Sequence, residues 1–178
     1  HPSRRQCDAA ARCGGVTLTP RGMAGYAVFV EPIHAVRAAQ AVINDRTRIA
    51  IDFGDLEIGE DEPIGPPLVR AARLVAVANP GQALCSLAGH QALTLAGVSG
   101  WAAASLGRFD IVGLDGEVDI YQLVGGGFGS DFPPLQLDRL PPLLPRGSES
   151  SVPGFELRSL IGVGELGAVH RAYQPSVG

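Results

Sequence analysis

The chain has 178 residues, of which 46% are hydrophobic and 18% charged, and this length and composition indicate one domain with a buried core. Its formal net charge is −4, and its 14 cationic residues are arginines scattered along the chain, which argues against a nucleic-acid-binding surface. Because the sequence contains no lysine, a Schiff-base lysine and a phosphate-binding Walker A or kinase lysine are excluded within these residues.

The three cysteines, Cys7, Cys13 and Cys85, are an odd number without CxxC spacing, so the sequence predicts neither a disulfide framework nor a zinc site. A reduced, cytoplasmic location fits this cysteine usage best. The chain begins without Met and without an apolar stretch behind its first arginines. These features predict a fragment of a longer protein, without a signal peptide.

Residues 74–107 carry no charged side chain, which raises the question of a membrane span. Asn79-Pro80-Gly81-Gln82 breaks the run early, and polar residues and glycines interrupt the rest below the ~18 consecutive apolar residues that a span needs. We therefore predict that this stretch forms the buried core of a domain and that the protein has no membrane partner.

The predicted elements alternate between strands and helices along the chain. A helix ends near residue 13, strands at 16–19 and 26–30 form a hairpin, and a helix starts at Glu31-Pro32. The later elements are a central strand at 48–54, a helix at 65–78, a strand at 82–86, a helix at 87–95, and strands at 106–112 and 117–124. This order indicates an α+β sandwich on a largely antiparallel sheet. We expect residues 16–30 and 48–54 to share that sheet, with the helix at 65–78 packed on it.

The composition changes at Gly125, where glycine and then proline become frequent. Residues 125–153 are predicted to be a semi-extended linker, because such a segment has few side chains with which to form a core. The predicted organisation is therefore a domain at 1–124, a linker at 125–153 and the start of a new unit at 154–178.

Four segments match the pattern of one protein family in the family's order. They are Gly14-Gly15 with Ala27-Val-Phe29, Arg48-Ile-Ala-Ile-Asp-Phe-Gly54, Gly65-Pro66 through Leu74 with Pro80-Gly-Gln-Ala-Leu-Cys-Ser86, and Leu106-Gly107 through Leu114 with Tyr121-Gln-Leu-Val124. Together they resemble the class III adenylate/guanylate cyclase homology domain over roughly residues 8–124. The resemblance implies a ferredoxin-like sandwich, here lacking its first strand because too few residues precede Gly14 to hold it.

The resemblance also implies a chemistry that this sequence only partly retains. In the family, two aspartates hold two divalent cations, Mg²⁺ or Mn²⁺, which activate the 3′-hydroxyl. One aspartate belongs to the absent first strand, and Met23 stands where the other belongs, although Mg²⁺ prefers hard oxygen ligands. Val69 replaces the asparagine that orients the ribose. Arg73 stands where the family has the arginine that stabilises charge on the α-phosphate.

The positions that contact the nucleotide in the family are mostly replaced as well. Thr19 stands in place of the lysine of the purine pocket. Glu62 lies near the position of the acidic residue of that pocket and offers a hydrogen-bond acceptor to the base. Val112 replaces the lysine that holds the phosphates. Arg73 is therefore the one retained catalytic candidate, and no metal ligand is predicted. A lone arginine in a helix is more commonly an ion-pair partner.

The histidines and the aspartates after the predicted central strand are weaker candidates. His34 and His90 have no matching ligands at metal-binding spacing, so surface and core positions are the expected ones. Asp52 and Asp55 flank Phe53-Gly54 at a strand end, where alternation would expose at least one of them.

A glycine pattern lies near the end of the chain. Gly162-Val-Gly164-Glu-Leu-Gly167-Ala-Val169 has the spacing G-x-G-x-x-G-x-V. It resembles the opening of a Ser/Thr protein kinase, which implies a hairpin over ATP with glycines close to the phosphates and Val169 on the adenine. An ordinary hairpin turn is the alternative. The kinase lysine strand, catalytic loop and magnesium-binding loop would lie beyond Gly178.

These observations lead to three hypotheses about function. In the first, the chain is part of a multidomain signalling protein whose cyclase-like domain is inactive and acts as a dimerisation or regulatory module, forming a homodimer or heterodimer. The fragment itself is then expected to bind no cofactor, although Mg²⁺ or Mn²⁺ and ATP serve the families it resembles and a nucleotide ligand stays possible. In the second, the full-length parent is an active cyclase that converts ATP or GTP into cyclic nucleotide and pyrophosphate. In the third, the activity belongs to an ATP-dependent Ser/Thr kinase domain of the parent.

Overall fold

The computed structural model describes residues 4–18, 25–58, 63–97, 99–139, 156–164 and 167–173. The chain divides into two compact units, His1–Pro141 and Pro142–Gly178. The first unit contains the elements that resemble a cyclase domain, and the second contains the glycine pattern.

The helices of the described part of the first unit are α1 (Arg4–Arg12), α2 (Pro32–Val42), α3 (Pro66–Val77) and α4 (Leu87–Leu95). Helices α2 and α3 both have proline in the first turn, where the missing N–H removes no helical hydrogen bond. Helix α4 begins after Ser86, whose hydroxyl accepts a hydrogen bond from the Gly89 backbone N–H at 3.0 Å. The helices predicted after Glu31, at 65–78 and at 87–95 are thus confirmed.

The strands of the first unit are short except for the last two. They are β1 (Val16–Leu18), β2 (Tyr26–Val28), β3 (Ile49–Ile51), β4 (Glu57–Ile58), β5 (Pro63–Ile64), β6 (Ala83–Ser86), β7 (Ala102–Asp110) and β8 (Glu117–Val124). In the described part, β3, β6, β8 and β7 form a four-stranded sheet in that order, while β1 pairs with β2 and β4 with β5. Strands β3 and β6 are parallel, and the other pairs are antiparallel. The α+β class is confirmed.

Two predictions about the sheet were wrong. The strand expected to be central at 48–54 is only three residues long and lies at one end of the four-stranded sheet, parallel to β6. It is parallel because helix α3 forms the crossover between the two strands, and parallel pairs need such a connection. Of the predicted hairpin at 16–30, the described strands β1 and β2 form their own two-stranded ladder and do not pair with β3.

The core of the first unit lies on both faces of the four-stranded sheet. One buried cluster consists of Val36, Ala39, Ala83, Cys85, Leu93, Leu123 and Phe128. A second consists of Leu74, Val77, Ala78, Leu84, Ile111 and Ile120. Strand β6 contributes Ala83 and Cys85 to the first cluster and Leu84 to the second, because successive side chains of a strand point to opposite faces. Helices α2 and α4 therefore cover one face of the sheet and α3 covers the other.

Residues 125–138 differ from the semi-extended linker expected for 125–153. Phe128 is buried in the first cluster, and its N–H donates to the Gly125 carbonyl at 2.9 Å. Leu135 packs against the second cluster, and a short 3₁₀ helix follows at Leu137–Arg139. The first half of the predicted linker is therefore docked on the first unit. The domain boundaries placed at 124 and 153 stay a prediction.

The described part of the second unit is an antiparallel hairpin of β9 (Glu156–Gly164) and β10 (Gly167–Tyr173). Gly164 lies opposite Gly167, and Gly162 lies opposite Val169. The register shifts between Val169 and His170. A hairpin was expected here both for a kinase-like loop and for an ordinary turn, so its formation does not distinguish the two.

Candidate functional site

The first turn of α3 packs closely against the loop that follows β3. Gly54 has φ +153°, and a Cβ at this position would lie 2.9 Å from Cγ of Pro67. A Cβ on Gly65 would lie 2.8 Å from the carbonyl oxygen of Asp55. Because neither glycine has a side chain, the loop can approach the helix closely. This close contact fixes the position at which α3 starts.

A buried carboxylate ties β3, α3 and α4 together. The Asp52 side chain is 1% exposed and accepts hydrogen bonds from Arg70 Nε at 2.6 Å, from the Phe53 N–H at 2.7 Å and from the Ser86 hydroxyl at 2.5 Å. Arg70 Nη2 also donates to Asp52 and to the Phe53 carbonyl, each at 3.4 Å. Charge-assisted hydrogen bonds of this kind compensate a buried carboxylate for its lost hydration. The cluster holds the first half of α3 in place.

Only part of this cluster could be predicted from the sequence. The expectation that at least one of Asp52 and Asp55 is exposed is confirmed, since Asp55 is exposed. The pairing of Asp52 with Arg70 was missed, because the two residues are 18 positions apart and on different elements. The serine directly before a helix was the local signal available, since serine is a preferred residue at that position.

Arg73 lies one turn beyond Val69 on α3 and is buried, with 6% of its surface exposed. Its guanidinium packs against Gly113 in the connection between β7 and β8. A Cβ on Gly113 would lie 2.7 Å from both Nε and Nη2 of Arg73. Burial lowers the pKa of the Arg73 guanidinium. The helix arginine thus packs against the β7–β8 connection at Gly113.

The contact between Arg73 and Gly113 joins two positions that the cyclase resemblance relates. Val112, the neighbour of Gly113, stands where the family has its phosphate-binding lysine, and it is exposed. Arg73 and Val112 are 39 positions apart in the sequence. The fold brings Arg73 against Gly113, the residue next to Val112.

The other predicted site residues fall into two groups. Thr19, Met23 and Glu62 lie outside the described residues. Gly162, Gly164, Gly167 and Val169 lie in the β9–β10 hairpin of the second unit, where backbone pairing is described. Their predicted roles in nucleotide binding stay predictions.

The two histidines that were considered as ligands lie in helices. His34 is half-buried in α2. The ring of His90 in α4 stacks on Tyr121 with 4.2 Å between ring centroids. Within the described ranges, no group of three His, Cys, Asp or Glu side chains is placed to hold a metal ion.

A groove of about 310 Å³ lies between α2 and residues 96–101, and it is separate from the cluster on α3. Its lining includes Arg37, Gln40 and Trp101. None of the site residues predicted from the sequence is in this lining, as far as they belong to the described part of the chain. In the part of the chain that the structure describes, no helix combines the length and apolar character needed to cross a bilayer.

The buried thiol of Cys85 predicts a loss of stability in alkali. Burial, with a smaller contribution from the negative charge of Asp52, raises the pKa of Cys85 from 9.0 to about 12. Because the pKa is higher in the folded state, the neutral thiol stabilises the fold fully below pH 9.0, and this contribution is lost as the pH rises towards about 12. We expect the free energy of unfolding, measured by urea titration, to fall over this range more steeply for the wild-type protein than for Cys85→Ala. Equal slopes would contradict the assignment.

No protein-family model matches the sequence, and no curated protein matches it significantly. The fold is similar to solved structures of two adenylate cyclases from Trypanosoma brucei in their monomeric state. The first has a TM-score of 0.59 at 19% identity, and the match covers 77% of this chain and 81% of that one. The second has a TM-score of 0.58 at 20% identity, and the match covers 76% of this chain and 82% of that one. It is also similar to an adenylate/guanylate cyclase/hydrolase from Silicibacter pomeroyi, with a TM-score of 0.60 at 25% identity over 68% of this chain and 77% of that one.

These similarities support the adenylate/guanylate-cyclase-like fold that the sequence resemblance predicted. They concern the cyclase-like fold and give no support to the kinase-like assignment of the β9–β10 hairpin. That assignment stays a prediction.

Proposed function

We propose that this chain contains a catalytically inactive nucleotide-cyclase-like domain that acts as a dimerisation or regulatory module of a larger signalling protein. The observation that carries the proposal is the burial of Arg73 beneath Gly113. An arginine that stabilises charge on a phosphate has to face the ligand in the transition state. Here the guanidinium lies against Gly113 in the β7–β8 connection.

The residues present also do not fit the divalent cations that the cyclase reaction needs. Met23 offers a thioether in place of a carboxylate, and Mg²⁺ prefers hard oxygen donors. The exposed Val112 offers no charge to a triphosphate, and Val69 offers no hydrogen bond to a ribose. We therefore derive no metal-assisted step for this chain.

A further part of the proposal concerns the β9–β10 hairpin and rests on the glycine spacing of its sequence. Its glycines lie at and near the tip, with Gly164 opposite Gly167, while Val169 follows on β10. This arrangement suits a nucleotide-covering loop, in which glycines allow close approach to phosphates. We propose that the hairpin begins a Ser/Thr kinase-like domain whose catalytic residues lie further along the parent protein.

The inactivity of the cyclase-like domain is tested by incubating the purified chain with ATP or GTP and Mn²⁺ or Mg²⁺. We expect no cyclic nucleotide above the level of an Arg73→Ala control when products are measured by mass spectrometry. Mn²⁺-dependent product that disappears in Arg73→Ala would overturn the proposal and favour an active cyclase. Product that persists equally in the control would identify a contaminating activity.

The dimerisation role has its own measurement. Because the cyclase-like domain is proposed to pair with another copy or a related domain, sedimentation analysis over a concentration series should show a species of twice the monomer mass. A protein that stays monomeric up to high micromolar concentration would contradict a homodimer. The activity assay and this assay can therefore fail independently.

A further inference from the structure

Three buried amide side chains form a relay through the first unit. Gln82 Oε1 accepts from the Asn79 backbone N–H at 2.8 Å and from Asn79 Nδ2 at 3.2 Å. Gln82 Nε2 donates to Gln122 Oε1 at 2.6 Å. Asn79, Gln82 and Gln122 are all buried, so each amide depends on these partners for its hydrogen bonds.

The relay ends on residues 128–136, which we call the strap. Asn79 Nδ2 donates to the Pro133 carbonyl at 2.8 Å, and Gln122 Nε2 donates to the Ser130 carbonyl at 3.0 Å. Gln136 Nε2 in turn donates to Asn79 Oδ1 at 2.7 Å. Side chains of the core thus hold the strap by its backbone carbonyls, which suits a segment whose prolines cannot donate to a strand.

The strap also has an apolar anchor at each end. Phe128 lies in the cluster with α2 and α4, whereas Leu135 packs on the cluster with α3. Because these clusters lie on opposite faces of the sheet, the strap passes from one face to the other. Just before it, Gly125, Gly126 and Gly127 all have positive φ, which glycine adopts without steric cost.

The far end of the strap contacts the end of α3. The Gln136 backbone N–H donates to the Val77 carbonyl at 2.8 Å and so satisfies one of the last carbonyls of the helix. Leu135 packs on the cluster that contains Leu74, the neighbour of Arg73. Undocking of the strap would leave a helix carbonyl and the relay amides without these partners.

We propose that the strap is a conformational latch with a docked and a released state, and that its release loosens the last turn of α3. The strap belongs to none of the described sheet ladders and is held by two apolar anchors and a few hydrogen bonds, so it opens more readily than the sheet. The chain continues from the strap towards Pro142. A partner or a force acting on that continuation would thereby shift the helix that carries Arg73. This inference does not depend on whether the domain is a cyclase.

Hydrogen exchange of the full chain, read by NMR, tests the latch. In Gln136→Ala, which removes the bond to Asn79, we expect the backbone N–H groups of Phe128 and of residue 136 to exchange roughly tenfold faster, the change expected from one net hydrogen bond. The Ala78 N–H, which donates to Leu74 at the end of α3, should accelerate with them. Amides of β6 and β8 should change by less than about twofold.

Asp131→Asn is the matched control, because Asp131 lies exposed in the strap and its side chain is in none of these hydrogen bonds. It should leave exchange at the wild-type rates. Equal acceleration of strap and sheet amides in Gln136→Ala would overturn the latch, and an unchanged Ala78 would overturn its coupling to α3. If Gln136→Ala does not fold, hydrogen exchange of the wild-type protein, measured at low denaturant concentrations, tests the latch instead. The strap must then open with a weaker denaturant dependence than the sheet.

Discussion

Replacing Asp52 by alanine should lower the free energy of unfolding by about 2–3 kcal/mol, because hydrogen bonds to a charged group are among the more stabilising ones. The change leaves Arg70, the Ser86 hydroxyl and the Phe53 N–H without their shared acceptor. The cost stays below that of a fully buried ion pair, because the Arg70 side chain is 31% exposed and water replaces part of the interaction. Urea unfolding followed by circular dichroism measures the effect.

The matched control for Asp52→Ala is Asp55→Ala, since Asp55 is the same residue type in the same loop but is exposed. A surface substitution of this kind should change stability by no more than about 0.5 kcal/mol. Asp52→Ala and Arg70→Ala combined should cost less than the sum of the two single changes, because they remove the same interaction. Equal stability of the two aspartate variants would show that the cluster does not hold α3.

The helices could be predicted from the sequence because their signals are local. Proline in the first turn marks the start of α2 and of α3, and Ser86 marks the start of α4. The order of strands in the sheet could not be predicted in this way. Strand β3 has only three residues. Its parallel pairing with β6 depends on the packing of α3, the helix that connects the two strands.

The docking of residues 125–138 on the first unit could not be predicted from the sequence, for a different reason. Glycine and proline content indicates a segment without an α-helix or a long strand, as residues 125–138 are, yet it does not identify the residues elsewhere in the chain that contact the segment. The hydrogen bonds to Pro133 and Ser130 come from Asn79 and Gln122, which are 54 and 8 positions away. The anchoring by Phe128 likewise depends on a core cluster formed by distant elements.

The placement of Arg73 in a helix could be predicted from the sequence, whereas the surroundings of its side chain could not. The resemblance identified Arg73 from the spacing within one helix, and the structure places it on α3. Its cover comes from Gly113, in a connection between two later strands. Burial of this kind is a tertiary property, and periodicity within α3 does not determine it.

Replacing Gly113 by alanine should destabilise the domain by about 2–5 kcal/mol through two separable effects, backbone strain and overpacking. Gly113 has φ +93°, which costs an alanine roughly 1–2 kcal/mol. The new Cβ would also lie 2.7 Å from Arg73 Nε and Nη2, and forcing atoms into a packed site costs about 1–3 kcal/mol. Thermal or urea unfolding gives the total.

Gly116→Ala separates the two effects, because Gly116 has φ +72° in the same β7–β8 connection and a Cβ there would meet no atom within 4 Å. Gly116→Ala should therefore show the backbone strain alone, and the excess cost of Gly113→Ala should reflect the contact with Arg73. That excess should disappear when both glycine variants are compared in an Arg73→Ala background. If Gly113→Ala costs no more than Gly116→Ala, the guanidinium is free to leave the turn. Arg73 would then be available to a ligand, and the main support for an inactive domain would be removed.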